Sequence, residues 1–208
     1  MKSTIKAIIV VLILVISYLS IISFTNSSFK AVLIPNKLIV LDKLKLDRDS
    51  KGRLIFEGEM LSGYLIKKNS NNDIIEKKGY LNGYLEGKSV GYFDNGKLKF
   101  IRYYDSGKKI GTHKGWYING QTKFEYYFKK GLSEQTHYQW YENGQLYSEI
   151  NYLNGKPFGA TKIWRKDGKL RSNFIIRENG RRYGLAGIKR CTKINIKEEI
   201  IDPYLVMR

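Results

Sequence analysis

From residue 63 onward, apolar and polar side chains alternate in short runs broken by glycine. Leu98, Phe100 and Tyr104 fall on one side of such a run, with Lys99 and Tyr103 on the other. Phe124, Tyr126 and Phe128 then alternate with Lys123, Glu125 and Tyr127. A period of two with one polar face predicts antiparallel strands in a sheet solvated on one side. Two sets of turns separate the runs. DNG, ING, ENG and KDG end at Gly96, Gly120, Gly144 and Gly168; DSG, KKG, LNG and ENG end at Gly107, Gly131, Gly155 and Gly180. Asn-Gly and Asp-Gly supply the left-handed backbone that tight hairpins require.

The turns are periodic. Gly96, Gly120, Gly144 and Gly168 are each 24 residues apart, and Tyr92, Trp116, Trp140 and Trp164 keep the same spacing. Tyr80, Tyr104, Phe128, Tyr152 and Ile176 form a further column. So do Gly63, Gly87, Gly111, Gly159 and Gly184, broken only at Gln135. Several columns sharing one period mark a repeat array. The expected fold is all-β: an elongated, single-layer antiparallel meander of about five 24-residue hairpins over residues 63–184. Residues 26–62 read as a connector with capping strands, and 185–208 as a C-terminal cap and tail.

The chain opens differently. Ala7–Phe24 carries no charge, and Lys2 and Lys6 precede it. Residues 1–25 therefore read as a membrane anchor or signal segment, with a transmembrane helix over residues 5–24. No A-x-A pattern follows Phe24, which favours an uncleaved anchor. The flanking lysines favour a cytoplasmic N-terminus. The expectation is a single-pass bacterial membrane protein with its array outside the cytoplasm.

The turn register decides which face is buried, because a slip of one residue exchanges the two faces. A three-residue x-N-G loop sets Trp116 opposite Thr122 and Trp140 opposite Leu146. That register is expected to gather Trp116, Trp140 and Trp164 with Leu98, Phe100, Phe124, Leu146, Ile150, Leu170 and Phe174 in the core. The opposite face would then carry Phe93, Lys99, Tyr103, Tyr117, Lys123, Tyr127, Tyr141, Tyr147 and Arg171, the candidate partner-binding surface.

Charge adds to this picture. The net charge is +18, and residues 87–183 hold 19 Lys and Arg against 8 Asp and Glu. Such a surface attracts anionic partners. Interleaved aromatics would also suit single-stranded nucleic acid, although an array outside the cytoplasm would not meet it. Anionic lipid is the alternative to a protein partner.

Candidate chemistry is sparse. Cys191 is the lone cysteine, which excludes an intramolecular disulfide. His113 and His137 are one period apart, as are Glu125 and Glu149. Two strands separate equivalent positions by roughly 10 Å, too far for two histidines to share a zinc ion. The carboxylate spacing slightly exceeds that of glycosidase pairs. The histidines read as polar strand residues alongside Ser89 and Thr161, and the carboxylates as cross-strand partners of neighbours such as Lys123 and Tyr147. No G-x-S-x-G, P-loop or H-E-x-x-H sequence is present. No catalytic residue, metal or cofactor is expected.

The unit G-x4-[YW]-[FY]-x-N-G-[KQ]-x3-E-x-x-Y-x-x-G is best seen in GTHKGWYINGQTKFEYYFKKG and in WYENGQLYSEINYLNG. It resembles the variant MORN repeat of bacterial YwqK-like antitoxin components, over about residues 63–184. The resemblance implies a repeat sheet that binds proteins or lipids, in some members as an antitoxin. A hydrophobic N-terminus departs from a cytosolic antitoxin.

Overall fold

In the computed structural model, residues 33–41, 46–185 and 187 are described. The helix expected over 5–24 and the tail beyond 187 lie outside them. Among the described residues the chain is all-β, and no described helix is long and apolar enough to cross a membrane.

Strand β1 (Leu38–Val40) runs parallel to β5 (Gly63–Lys68) and starts the main sheet. Between them, β2 (Leu46–Arg48), β3 (Leu54–Phe56) and β4 (Glu59–Met60) form a separate three-stranded sheet. The array continues through β6 (Ile74–Leu81), the short β7 (Tyr84–Leu85) and β8 (Gly87–Tyr92). It then adds β9 (Leu98–Asp105), β10 (Lys108–Trp116), β11 (Thr122–Lys129) and β12 (Leu132–Trp140). Strands β13 (Leu146–Leu153), β14 (Lys156–Trp164), β15 (Leu170–Ile176) and β16 (Arg182–Leu185) complete it. From β8 to β16 each strand pairs with its sequence neighbours, a long antiparallel meander.

Strands β1 to β4 fall within residues 26–62, the stretch read as connector and capping strands. Leu54 and Leu61 pack with Ile39, Leu65 and Tyr80 in a buried cluster. The Leu54 amide donates to the Gly83 carbonyl and the Gly83 amide to the Leu61 carbonyl, both at 2.8 Å. The start of the array is therefore two layers thick rather than one.

The two turn sets differ in geometry as their sequences dictate. At Ser106-Gly107, Lys130-Gly131 and Asn154-Gly155 both loop residues have positive φ, the two-residue form that matches strand twist. The x-N-G turns are three-residue loops. The Tyr117 amide donates to the Gln121 carbonyl and the Gly120 amide to the Tyr117 carbonyl, both at 2.9 Å. The Asn119 Oδ1 accepts from the Gln121 amide at 3.0 Å, and Asn95, Asn143 and Asp167 repeat this contact. The first hairpin has the same turn, with Asn72 at φ 69° where the others place glycine. Gly180 lies 25 residues after Gly155 rather than 24, and ENG there forms a three-residue loop, unlike the DSG, KKG and LNG turns of its column.

The three-residue loops give the expected pairs Trp116–Thr122 and Trp140–Leu146. The next pairs, Gly115–Phe124 and Gln139–Ser148, are offset by one residue. This bulge recurs in five of the six hairpins with three-residue loops and is absent from β15–β16. A bulge adds one unpaired residue and exchanges the faces beyond it. The tryptophans therefore do not share a face with Phe124. The Trp140 ring stacks on Tyr138 at 5.8 Å, and Tyr138 alternates with His137 and Gln139.

A second interruption lies at Gly111, Gln135 and Gly159, where residues on β10, β12 and β14 outnumber those opposite them. All three positions have left-handed backbone, Gln135 included at φ 60°.

The face carrying Phe124 is the buried one. Tyr104, His113, Phe128, His137 and Tyr152 pack ring to ring across it, with centroids 4.4–5.5 Å apart. A second row crosses the same face through direct strand pairing: Gly91, Phe100, Gly115, Phe124, Gln139, Ser148, Ile163 and Ser172. Small residues neighbour larger ones along this row except where Phe124 meets Gln139. The Phe100 and Phe124 rings fill the space a β-carbon on Gly91 or Gly115 would need.

Candidate binding surface

His113 and His137 are 3% and 7% exposed, so they are core residues rather than polar surface ones. Each sits just after an interruption in the ladder. The His113 Nε2 lies 2.8 Å from the Tyr103 carbonyl oxygen, and the His137 Nε2 lies 2.9 Å from that of Tyr127. The His113 Nε2 also lies 3.1 Å from the Tyr103 amide, so the tautomer decides whether that nitrogen donates to the carbonyl or accepts from the amide. Burial lowers both pKa values below the ordinary imidazole value, and the carbonyl bonds oppose that shift. The Phe128 ring packs against both imidazoles. Among the described residues, no three His, Cys, Asp or Glu side chains converge as metal ligands would.

The carboxylates belong to the other face. Glu125 pairs with Lys114 across the strands at 3.0 Å, not with Lys123. Glu149 stands opposite Lys162 in register. Two further glutamates serve the two-residue turns, a role the sequence did not reveal. Glu86 accepts from the Ser106 amide at 2.8 Å, and Glu134 accepts from the Asn154 amide at 2.9 Å. Their shared offset of 20 residues was the available signal.

The structure separates the nine candidate binding residues into groups. Phe93 and Lys99 pair as cation and ring at 5.5 Å, and Tyr117 and Lys123 at 5.2 Å. Tyr141 and Tyr147 meet edge to face at 5.1 Å. These six form three equivalent rungs beside the x-N-G turns. Arg171 takes the corresponding place in the next hairpin and is exposed. Tyr103 and Tyr127 stand apart. They alternate with Tyr104 and Phe128, which puts them on the opposite face.

The rungs join the buried face instead of opposing it. One groove is lined by Phe93, Lys99, Phe100, Arg102, Lys123 and Phe124, among others. The next is lined by Tyr117, Lys123, Phe124, Tyr126, Tyr141 and Tyr147, with Gln139 bonded to the Tyr126 hydroxyl. Each groove encloses about 390 Å³. The expected separation into a tryptophan core and an aromatic-basic outer face is therefore wrong, and the bulge is the cause.

The rungs are held in place. The Tyr117 hydroxyl donates to the Trp140 carbonyl at 2.9 Å and the Tyr141 hydroxyl to the Trp164 carbonyl at 3.0 Å. Burial, and then Glu142, raises the Tyr117 pKa, so the hydroxyl keeps its proton and its bond. Lys99 and Lys123 are exposed. The arrangement offers fixed rings, free ammonium groups and no nucleophile poised beside a base. Neither a family model nor a curated protein matches this chain.

Proposed function

We propose that this chain is a non-catalytic binding module, tethered to a membrane by residues 5–24, whose rungs capture a protein partner. The observation that carries this reading is the recurrence of one ring-and-cation pair at the same place in successive hairpins. A periodic, preorganised surface suits a long segment better than a small substrate. Fixed rings lose little freedom on binding, which raises affinity. Anionic lipid is the second reading, favoured by the positive charge of residues 87–183. A role against a toxin would be one form of partner capture.

The test compares the full chain with a Lys99→Glu, Lys123→Glu variant. Both lysines are exposed and each lies over one ring, so stability should change by no more than about 2 kcal/mol. Crosslinking from Tyr141, replaced by a photoreactive phenylalanine, should give a protein adduct in the parent that the charge-reversed variant loses. Flotation on phosphatidylglycerol vesicles at physiological salt reads the lipid alternative, with the anchor removed by a protease cut. An adduct yield unchanged by the reversal would refute the reading.

A further inference from the structure

The rungs Phe93/Lys99, Tyr117/Lys123 and Tyr141/Tyr147 recur every second strand. Hydrogen-bonded strands lie about 4.7–4.9 Å apart, so successive rungs are separated by roughly 9.5 Å. We propose that this ladder is a track for an acidic protein segment in the polyproline II conformation, one ligand turn per hairpin. The proposal rests on the partner-binding reading above and specifies its ligand.

The match is one of period. Polyproline II advances about 3.1 Å per residue with three residues per turn, hence about 9.3 Å per turn. Every third side chain therefore returns to the same side at the interval of the rungs. Three residues of a β-strand cover a similar length, about 10 Å, but side chains alternate, so residues three apart face opposite ways. Two turns of an α-helix cover about 10.8 Å, so its side chains drift from the rungs by more than about 1 Å at each step.

The chemistry agrees with the period. Proline-rich helices dock on aromatic-lined grooves, where their low conformational freedom limits the entropy lost. Here Phe93, Tyr117 and Tyr141 supply such rings, and the two tyrosines are fixed by their bonds to the following hairpin. The Lys99 and Lys123 ammonium groups sit over the first two rings, and Arg102 lies in the first groove. A carboxylate on every third ligand residue would meet a cation at the first two rungs and a pair of tyrosine rings at the third.

Fluorescence anisotropy on the full chain in detergent micelles tests this. The probes are a labelled peptide of four Glu-Pro-Pro triplets, a peptide of the same composition with its glutamates clustered, four Glu-Gly-Gly triplets, and dodecathymidylate. The periodic proline peptide should bind about tenfold or more tighter than each of the others, since spacing and preorganisation both count. Lys99→Glu with Lys123→Glu should weaken it at least about tenfold, with a cooperative circular dichroism melt retained. Equal binding of the clustered peptide would overturn the proposal, as would tighter binding of the oligonucleotide or no response to charge reversal. Should the peptides fail while the Tyr141 adduct still depends on Lys99 and Lys123, the polyproline ligand falls and the partner-binding reading stands. Should both fail, that reading falls too.

Discussion

Replacing Gln135 with glycine should stabilise the protein. Gln135 holds φ 60°, matching φ 61° at Gly111 one hairpin earlier. A β-carbon on Gly111 would meet nothing within 4 Å, so crowding from neighbours plays no part at the equivalent site. What remains is local strain, about 1–2 kcal/mol for a side chain in the left-handed region. Glycine gives back part of this, because its unfolded chain is freer by about 0.5–1 kcal/mol. The Gln135 side chain is exposed, so little packing is lost. The net expectation is a gain of about 0.5–1 kcal/mol for Gln135→Gly and a similar loss for Gly111→Gln. Urea denaturation followed by tryptophan fluorescence reads both midpoints, and the exchanged double variant should lie near the parent. A Gln135→Gly midpoint equal to or below the parent's would refute the strain argument.

Phe128→Ala should cost about 3–5 kcal/mol, because its ring is buried between two imidazoles. Trp140→Ala should cost clearly less, since that ring is only half-buried on the opposite face; the reverse order in a denaturation series would sink the face assignment. Stability should be undiminished above about pH 6.5, the unfolded histidine value, and should fall as pH drops through the lowered native values of His113 and His137. His113→Ser with His137→Thr, copying positions 89 and 161, should flatten that decline in melts taken from pH 7.5 to 5. Deleting Gly111–Glu134 should leave a cooperative, shorter array, since each hairpin contacts its neighbours; a twelve-residue deletion should abolish the cooperative melt by removing one strand.

The repeat, both turn positions and the x-N-G register were legible because glycine and asparagine mark left-handed backbone directly. The first hairpin's turn was less visible, because Asn72 stands where later copies have glycine. The faces were not legible. Strict alternation from Thr122, the partner of Trp116, to Phe124 puts Trp116 with the apolar strand set, but one unpaired residue at Lys123 reverses that assignment. Nothing about a lysine announces a bulge. The same event explains the binding surface. Lys99, Lys123 and Tyr147 look like an outer face by parity, yet the bulge brings them beside Phe100 and Phe124. The histidine column looks polar in the sequence because Ser and Thr share it, and only the neighbouring rings reveal its burial.

The row from Gly91 to Ser172 limits how such a molecule can change length over generations. Excising Gly111–Glu134 leaves Phe100 beside Gln139, the neighbour Phe124 already has. Excising the following unit, Gln135–Phe158, would instead set Phe124 against Ile163, a stiff β-branched group where the parent has the flexible Gln139. The first two pairs place the ring on the returning strand of the hairpin, whereas Ile163 places the bulk on the outgoing one. Gln139 is the splice between these two dialects. Unequal recombination can therefore copy or lose hairpins freely within either block, while an exchange across the splice must be repaired by a second substitution.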